Sequence, residues 1–222
     1  MIEDKRNCEE IIDNTLNTLD RCEKKIKDAM ELCNQKKYIC NLGCGDDMYG
    51  DVRVDIFKTK AMTLQWDIEK PLPIPDNTFD EVYSKNVFEH MKNPFNLLME
   101  MKRICKVGGR IKIITDNGNF IFYLWNFIGL KHGEYRVGDS MRPDDMHYMF
   151  FQNEHLNNYF YKAGIKVISN KLLPNIYCKR DRNIQKIISF FIGKNLGMPH
   201  IEIIGEKEKE EKNETLGTSA SK

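Results

Sequence analysis

Two glycines and an acidic residue stand at the ends of two successive apolar segments. Gly43 and Gly45 follow the apolar residues 38–42, and Asp55 lies near the end of the apolar residues 52–56. Glycines let backbone N–H groups approach a ligand closely, because they have no Cβ. A carboxylate at the end of the next strand can accept hydrogen bonds from two ribose hydroxyls. The spacing therefore predicts a site for a nucleoside-shaped cofactor at the edge of an open α/β sheet.

Further side chains at predicted strand ends could line the same cleft. Asp67 follows a third strand and could accept a hydrogen bond from an adenine amino group, with Ile68 packing on the ring. Asn86 follows a fourth strand, at the carboxyl edge of the sheet where such ligands bind. Asp55 or Asp67 taken alone could equally cap a turn or a helix. Their occurrence at two successive strand ends favours cofactor binding.

The elements that must hold these residues alternate between strands and helices. The pattern predicts seven strands and three helices in the central part of the chain. The strands cover residues 38–42, 52–56, 63–66, 79–84, 110–115, 165–169 and 200–205, and the helices cover residues 93–105, 153–162 and 184–191. Strands separated by helices favour a doubly wound, mostly parallel α/β sheet with helices on both faces.

Three segments depart from this alternation. Residues 1–36 carry apolar side chains at helical spacing and predict an amphipathic extension that could serve as a lid or in a homodimer. Residues 117–151 are rich in aromatic side chains and predict a substrate-side insertion or lid. Residues 207–222 are charged or small and polar, and they predict a disordered tail. The predicted domain therefore covers residues 37–206.

Composition narrows the class of protein. The chain has 222 residues, of which 41% are hydrophobic and 30% charged, as expected for one globular domain. A formal net charge of +1 creates no overall field that would attract nucleic acid or an anionic membrane. The seven cysteines contain no CxxC pair and indicate reduced thiols. With no signal-peptide pattern and no apolar stretch long enough to span a bilayer, the sequence predicts a cytoplasmic protein.

The order and spacing of six motifs resemble those of class I S-adenosylmethionine-dependent methyltransferases, especially the small stand-alone type whose first loop reads NLGCG. The motifs occupy residues 41–45, 54–55, 66–67, 71–80, 87–90 and 103–110. This resemblance implies a Rossmann-like methyltransferase fold and S-adenosyl-L-methionine as the cofactor. The residues that it implies for cofactor binding are Asn41, Gly43, Cys44, Gly45, Asp55, Asp67, Ile68 and Asn86.

Two positions depart from the pattern of that family. Asn41 stands where the family usually places an acid, and Asp47 stands where it often places a third glycine. The side-chain oxygen of Asn41 can still accept a hydrogen bond from the cofactor amine, although it lacks the charge of a carboxylate. These departures leave open the alternative that the chain is a methyltransferase-like module that binds the cofactor but does not transfer its methyl group.

Methyl transfer to a hydroxyl would need a base, since the nucleophile carries a proton at neutral pH. His90 lies just past the fourth predicted strand, and His147 lies in a polar turn before the helix that begins at residue 153. Either imidazole could accept the proton, although His90 could instead cap a helix or pair with Glu89. Metal-ligand spacing such as HxxxH or HxH is absent around His132, Asp144, Asp145 and His147, so no metal is predicted.

The acceptor is expected to be a small molecule or a glycan. Residues 84–87 read SKNV, where base-methylating enzymes would carry an Asn/Asp-Pro-Pro-aromatic element, so no nucleic-acid acceptor is expected. The apolar segments at residues 120–130 and 184–192 could dip into a lipid surface. Core packing is the simpler expectation for the second of these segments.

Overall fold

The computed structural model describes residues 37–121, 147–175 and 179–209. The predicted N-terminal extension, most of the predicted lid and most of the predicted tail lie outside these residues. Among them are His132, Asp144 and Asp145.

All seven predicted strands are present and form one sheet in the order β3-β2-β1-β4-β5-β7-β6. The strands are β1 Ile39–Leu42, β2 Val52–Asp55, β3 Leu64–Gln65, β4 Phe79–Lys85, β5 Cys105–Asp116, β6 Ile165–Leu173 and β7 His200–Lys207. The pairs formed among β1 to β5 are parallel, whereas β7 is antiparallel to both β5 and β6. The strand order reverses between β1 and β4, and ligands bind at such switch points in open α/β sheets.

Four helices and one short 3-10 turn whose bounds lie within residues 37–121, 147–175 and 179–209 connect or flank these strands. The helices are α1 Pro94–Ile104, α2 Asn153–Lys162, α3 Lys179–Ile192 and α4 Lys194–Gly197, and the 3-10 turn is Phe88–His90. Within the described part of the chain, no helix combines the length and the apolar character that crossing a bilayer requires.

The central strands are apolar because the sheet buries them. Leu42 in β1, Val82 in β4 and Ile113 in β5 are completely buried, as expected for parallel strands that are covered on both faces. Helix α1 packs one apolar face into the same core, including Leu98 and Met101. Its first turn begins as the sequence predicts, with Pro94 at the first helical position and the Asn93 side chain accepting a hydrogen bond from Asn96 N.

Arg103 in α1 holds the Pro-rich segment that leads from β3 to β4. Its Nη1 donates to Ile74 O over 2.7 Å and to Asp76 Oδ1 over 2.8 Å. Its Nη2 and Nε donate to the two carboxylate oxygens of Glu100, which lowers the pKa of Glu100. Glu100 in turn accepts a hydrogen bond from Leu72 N. The arginine that begins the motif at residues 103–110 therefore has a structural role.

Several element boundaries differ from the sequence prediction. Residues 106–109, which separate the predicted helix 93–105 from the predicted strand 110–115, form a bulge inside β5, because Cys105 pairs with Phe79 and Arg110 with Glu81. Helix α3 begins five residues earlier than predicted. Strand β7 runs one residue past the predicted domain end, where the Lys207 ammonium is buried and donates to Cys105 O over 2.9 Å.

Candidate functional site

The loop after β1 turns back on β2 through its glycines. Gly43 N and Cys44 N both donate to Val54 O, over 2.8 and 3.1 Å. Gly43 has a φ of 70°, and a Cβ there would lie 2.4 Å from Val87 Cγ2. Gly45 has a φ of 51°, and no atom lies within 4 Å of the place a Cβ would take. Gly43 is therefore required for close packing, whereas Gly45 leaves space beside the loop.

Asp55 joins this loop to the end of β2. Its Oδ2 accepts a hydrogen bond from Gly45 N over 2.7 Å, and its Oδ1 accepts one from Phe57 N over 2.8 Å. The residue is 8% exposed. Each carboxylate oxygen has a second lone pair, so both can also accept from a ligand hydroxyl. Asp55, which the sequence predicts to bind the ribose, therefore also holds the glycine loop through Gly45 N. The sequence did not indicate this second role.

Cys44 is a neutral thiol in this loop. Burial and the nearby Asp55 carboxylate raise the pKa of Cys44 to about 11. A thiol needs to be ionised to act as a nucleophile, so Cys44 does not supply one near pH 7. Cys44 instead helps to pack the loop, since its side chain is buried and its N–H donates to Val54 O.

Two buried amide oxygens near the switch point have no hydrogen-bond partner among the described residues. Asn41 Nδ2 donates to Tyr49 O over 3.1 Å, while Asn41 Oδ1 is unpaired. Asn86 adopts a φ of 52°, and its Oδ1 is also unpaired. A buried acceptor without a partner costs about 1–3 kcal/mol. Both oxygens are therefore available to a donor on a bound molecule, such as the amine and hydroxyls of the predicted cofactor.

Asp67 caps a turn, which is the alternative to cofactor binding that the sequence left open for it. Its Oδ1 accepts a hydrogen bond from Glu69 N over 3.0 Å, and its Oδ2 lies 3.4 Å from Lys70 Nζ. Ile68 beside it is buried and lines a groove of about 370 Å³ together with Met91 and residues of α1. The contacts that the sequence predicts between adenine and these two residues remain proposals.

His90 and His147, the two predicted candidates for a base, lie side by side. Their ring centroids are 4.5 Å apart and the rings meet at 80°. Tyr148 N donates to Glu89 O over 2.7 Å, which attaches the segment after His147 to the 3-10 turn. Two imidazoles from distant parts of the sequence thus meet beyond the carboxyl end of β4.

Asp116, at the carboxyl end of β5, faces this pair. Its Oδ2 lies 3.8 Å from His147 Nδ1, and its Oδ1 lies 3.2 Å from His200 Nδ1. Asn86 Nδ2 also donates to Asp116 Oδ1, over 3.4 Å. A buried carboxylate beside an imidazole stabilises the protonated ring, so Asp116 suits His147 to accept a proton.

Glu89 is completely buried behind the two histidines. Thr115 Oγ1 donates to Glu89 Oε2 over 2.6 Å. Glu89, His90 and His147 each present one ligand atom, and these atoms lie within 4.8 Å of one another. This group could hold a metal ion, an arrangement that sequence spacing alone did not reveal because His147 is far away in the chain.

Sequence reasoning missed Asp116, Thr115 and His200. Asp116 carries the signal that identified Asp55, an acid at the carboxyl end of a strand, and could have been found by the same rule. His200 could not, because it begins β7 and reaches the same edge of the sheet only because β7 is antiparallel to β5.

The ends of the predicted lid meet beside this cluster. Asn117 and Phe151 form a parallel β-bridge, and Gly118 N donates to Phe151 O over 2.7 Å. The segment between them therefore leaves and returns at the carboxyl edge of the sheet, next to the two histidines.

Comparison with known proteins identifies matches over parts of the chain. Residues 12–113 match the family model described as a methyltransferase domain. An uncharacterized methyltransferase of Schizosaccharomyces pombe is 48% identical over 40 residues, which cover 18% of this chain and 14% of that protein. The mitochondrial ubiquinone biosynthesis O-methyltransferase of Dictyostelium discoideum is 31% identical over 85 residues, covering 35% of this chain and 26% of that protein. The chain thus spans only about a quarter of one relative's length and a seventh of the other's.

The fold resembles solved structures over most of its length. The crystal structure of an S-adenosylmethionine-dependent methyltransferase from Archaeoglobus fulgidus superposes with a TM-score of 0.54 at 18% identity, over 85% of this chain and 94% of that one. Together with the observed strand order, this confirms the predicted Rossmann-like methyltransferase fold.

Proposed function

We propose that this chain transfers a methyl group from S-adenosylmethionine to a small-molecule or glycan-type acceptor by in-line displacement. The match to a methyltransferase domain supports this class of enzyme and implies S-adenosylmethionine as its cofactor, and the fold agrees with both. The observation that carries the cofactor assignment is the buried Asp55 carboxylate, which is hydrogen-bonded to Gly45 N at the strand-order reversal.

Four residues have the groups that would hold the cofactor. Asp55 would accept from the ribose hydroxyls, and the space beside Gly45 would admit the sugar and its substituents. The unpaired oxygens of Asn41 and Asn86 would accept from donors on the amino-acid end and the nucleoside. When bound, S-adenosylmethionine supplies a methyl group that its sulfonium already activates. The protein's main contribution is then to hold the reacting groups in line.

His147 is the residue we propose as the base, with His90 as the second candidate. The Asp116 carboxylate near His147 Nδ1 would stabilise the ring after it has accepted a proton. The His90 ring packs against that ring in an edge-type contact, with 4.5 Å between the ring centroids. A base at this position suits an acceptor that loses a proton, such as a hydroxyl. The name of the Dictyostelium relative, an O-methyltransferase of ubiquinone biosynthesis, supports an oxygen on a small molecule.

Titration calorimetry with the demethylated cofactor, S-adenosylhomocysteine, tests the first half of this proposal. We expect one binding site per chain. Incubation with radiolabelled S-adenosylmethionine and a panel of hydroxylated small molecules and glycans tests the second half, and His147→Gln should lower the rate without weakening cofactor binding. Absence of S-adenosylhomocysteine binding in the folded protein would refute the assignment.

A cofactor-binding module without turnover is the second candidate. Asn41 favours it, because the amide lacks the negative charge that would attract the cofactor amine. This candidate predicts tight cofactor binding with no methyl consumption across the whole acceptor panel.

The proposal of a methyltransferase also includes a cytoplasmic location, a homodimer and an acceptor that is not a nucleic acid. These three parts rest on the sequence.

A further inference from the structure

Helix α3 exposes three large apolar side chains and buries two polar ones. Ile187, Phe190 and Phe191 are 61%, 84% and 78% exposed, and they lie three or four residues apart or adjacent on one side of the helix. Gln185 and Ser189 are buried on the opposite side. The core packing expected for this segment is therefore wrong for its largest side chains.

The orientation of α3 is set by hydrogen bonds and close packing. Gln185 Oε1 accepts from Asn175 N over 2.6 Å. Ser189 lies so close to Gly197 in α4 that a Cβ on this glycine would be 2.4 Å from Ser189 Oγ. Rotating α3 to bury its phenylalanines would break both arrangements. The exposed apolar side is thus a consequence of how the helix is held.

Two exposed lysines flank this apolar side along the chain. Lys186 precedes Phe190 by one helical turn, and Lys194 follows in α4; both are exposed. The chain as a whole has a net charge of only +1, so these two lysines place positive charge next to the exposed phenylalanines in an otherwise nearly neutral chain.

Helix α4, which packs against Ser189 of α3, is attached to the edge of the sheet that carries the candidate site. Asn117, which follows Asp116, donates from Nδ2 to Asn195 O and to Met198 O, both over 2.8 Å. Its backbone N–H donates to Pro199 O over 2.8 Å. Helix α3 is therefore joined through α4 to that edge of the sheet.

We propose that the side of α3 formed by Ile187, Phe190 and Phe191 docks reversibly on an anionic phospholipid surface. Apolar side chains of such a helix enter the boundary between headgroups and acyl chains, while lysines and arginines meet the lipid phosphates. Positive charge next to exposed phenylalanines complements this surface better than it complements a neutral one. Docking does not depend on methyl transfer.

Sedimentation of the full chain with lipid vesicles tests this docking. We expect binding to vesicles that contain phosphatidylglycerol, little binding to vesicles of phosphatidylcholine alone, and weaker binding as salt rises. The double substitution Phe190→Ser/Phe191→Ser should weaken vesicle binding by at least about tenfold, since it removes the inserted area. Lys186→Glu should weaken binding to the anionic vesicles.

Tyr161→Ser provides a matched control, because Tyr161 is an 86% exposed aromatic residue on α2 and should not affect vesicle binding. Equal binding to both kinds of vesicle, no binding to either, or unchanged binding of the double variant would overturn the inference.

Thermal melting and sedimentation velocity of the double variant test whether protein, and not lipid, covers this side of α3. A large fall in melting temperature would mean that another part of the chain covers the helix, and a loss of a dimer would mean that a second copy does. Either result would also overturn it.

Discussion

Replacing Asp55 with asparagine should weaken cofactor binding and destabilise the fold only moderately. The carboxylate oxygens already accept hydrogen bonds from Gly45 N and Phe57 N. Asparagine keeps one acceptor and turns an NH₂ group toward one of these donors. Losing one hydrogen bond to a charged group costs about 1.5–3 kcal/mol. We expect a comparable loss in binding, so the affinity for S-adenosylhomocysteine should fall by about 10- to 150-fold.

Asp51→Asn is the matched control for this substitution. Asp51 precedes β2, at the opposite end from Asp55, and its Oδ2 accepts a hydrogen bond from Ile39 N over 2.9 Å. Both variants lose a carboxylate that accepts from a backbone N–H. We expect each to be destabilised by about 1–2 kcal/mol, which lowers the melting temperature by a few degrees. Only Asp55→Asn should change the dissociation constant measured by calorimetry.

An unchanged dissociation constant for a folded Asp55→Asn protein would refute the ribose role of Asp55. Equal weakening by Asp51→Asn would show that loss of stability, and not loss of a ligand contact, lowers the affinity. Circular dichroism and thermal melting of both variants, with and without S-adenosylhomocysteine, distinguish these two outcomes.

Four further predictions concern the base, the glycine loop, metal dependence and acid stability. His147→Gln should lower kcat by about 100-fold or more and remove the fall in rate on the acidic side of the pH–rate profile, where the base is protonated, without changing cofactor affinity, whereas His90→Gln should affect kcat less; an equal loss in both would contradict the assignment. Gly43→Ala should destabilise the fold by about 2–4 kcal/mol in urea unfolding, and Gly108→Ala by only about 1 kcal/mol, because both have positive φ but only Gly43 faces Val87 at 2.4 Å. Dialysis against a chelator should leave methyl transfer unchanged in a radiolabel assay; lost activity restored by a divalent metal would instead assign Glu89, His90 and His147 as ligands. Burial raises the pKa of Glu202, but hydrogen bonds from Lys171 and Lys112 outweigh burial and lower the pKa below the ordinary 4.5. The stabilisation that the Glu202 carboxylate provides is therefore complete above pH 4.5 and is lost as the pH falls through the lowered pKa. In urea unfolding, Glu202→Gln should be less stable than the unmodified protein at pH 7, and this difference should shrink in acid.

The strands and the cofactor side of the site could be predicted because their signals are local. A buried parallel strand needs a short apolar run, and the turn after it needs glycine where φ is positive, so residues 38–45 identify both. Asp55 follows from the same rule, since the acid stands at the end of the next strand. Boundaries were less accurate where tertiary contacts extend an element, as they do for β7 at Lys207.

The catalytic candidates illustrate the limit of local signals. His90 could be named from its position just past a strand and His147 from its place in a polar turn before a helix, but the sequence did not bring them together. Their 4.5 Å contact depends on a backbone hydrogen bond from Tyr148 to Glu89 across two distant segments. The Asp116 carboxylate joins them at the carboxyl end of β5, and the His200 ring reaches Asp116 because the antiparallel strand β7 begins at the same edge.

The sequence by itself determined the alternation of strands and helices, the glycine loop and the acid that completes it, because backbone geometry and burial constrain neighbouring residues directly. Only the tertiary structure decided which polar groups meet at the edge of the sheet and which side of α3 is exposed. The helical period of α3 identifies a side that carries Ile187, Phe190 and Phe191, but not the direction in which this side points. Contacts of Gln185 and Ser189 with residues elsewhere in the chain set that direction, and such contacts leave no local pattern in the sequence.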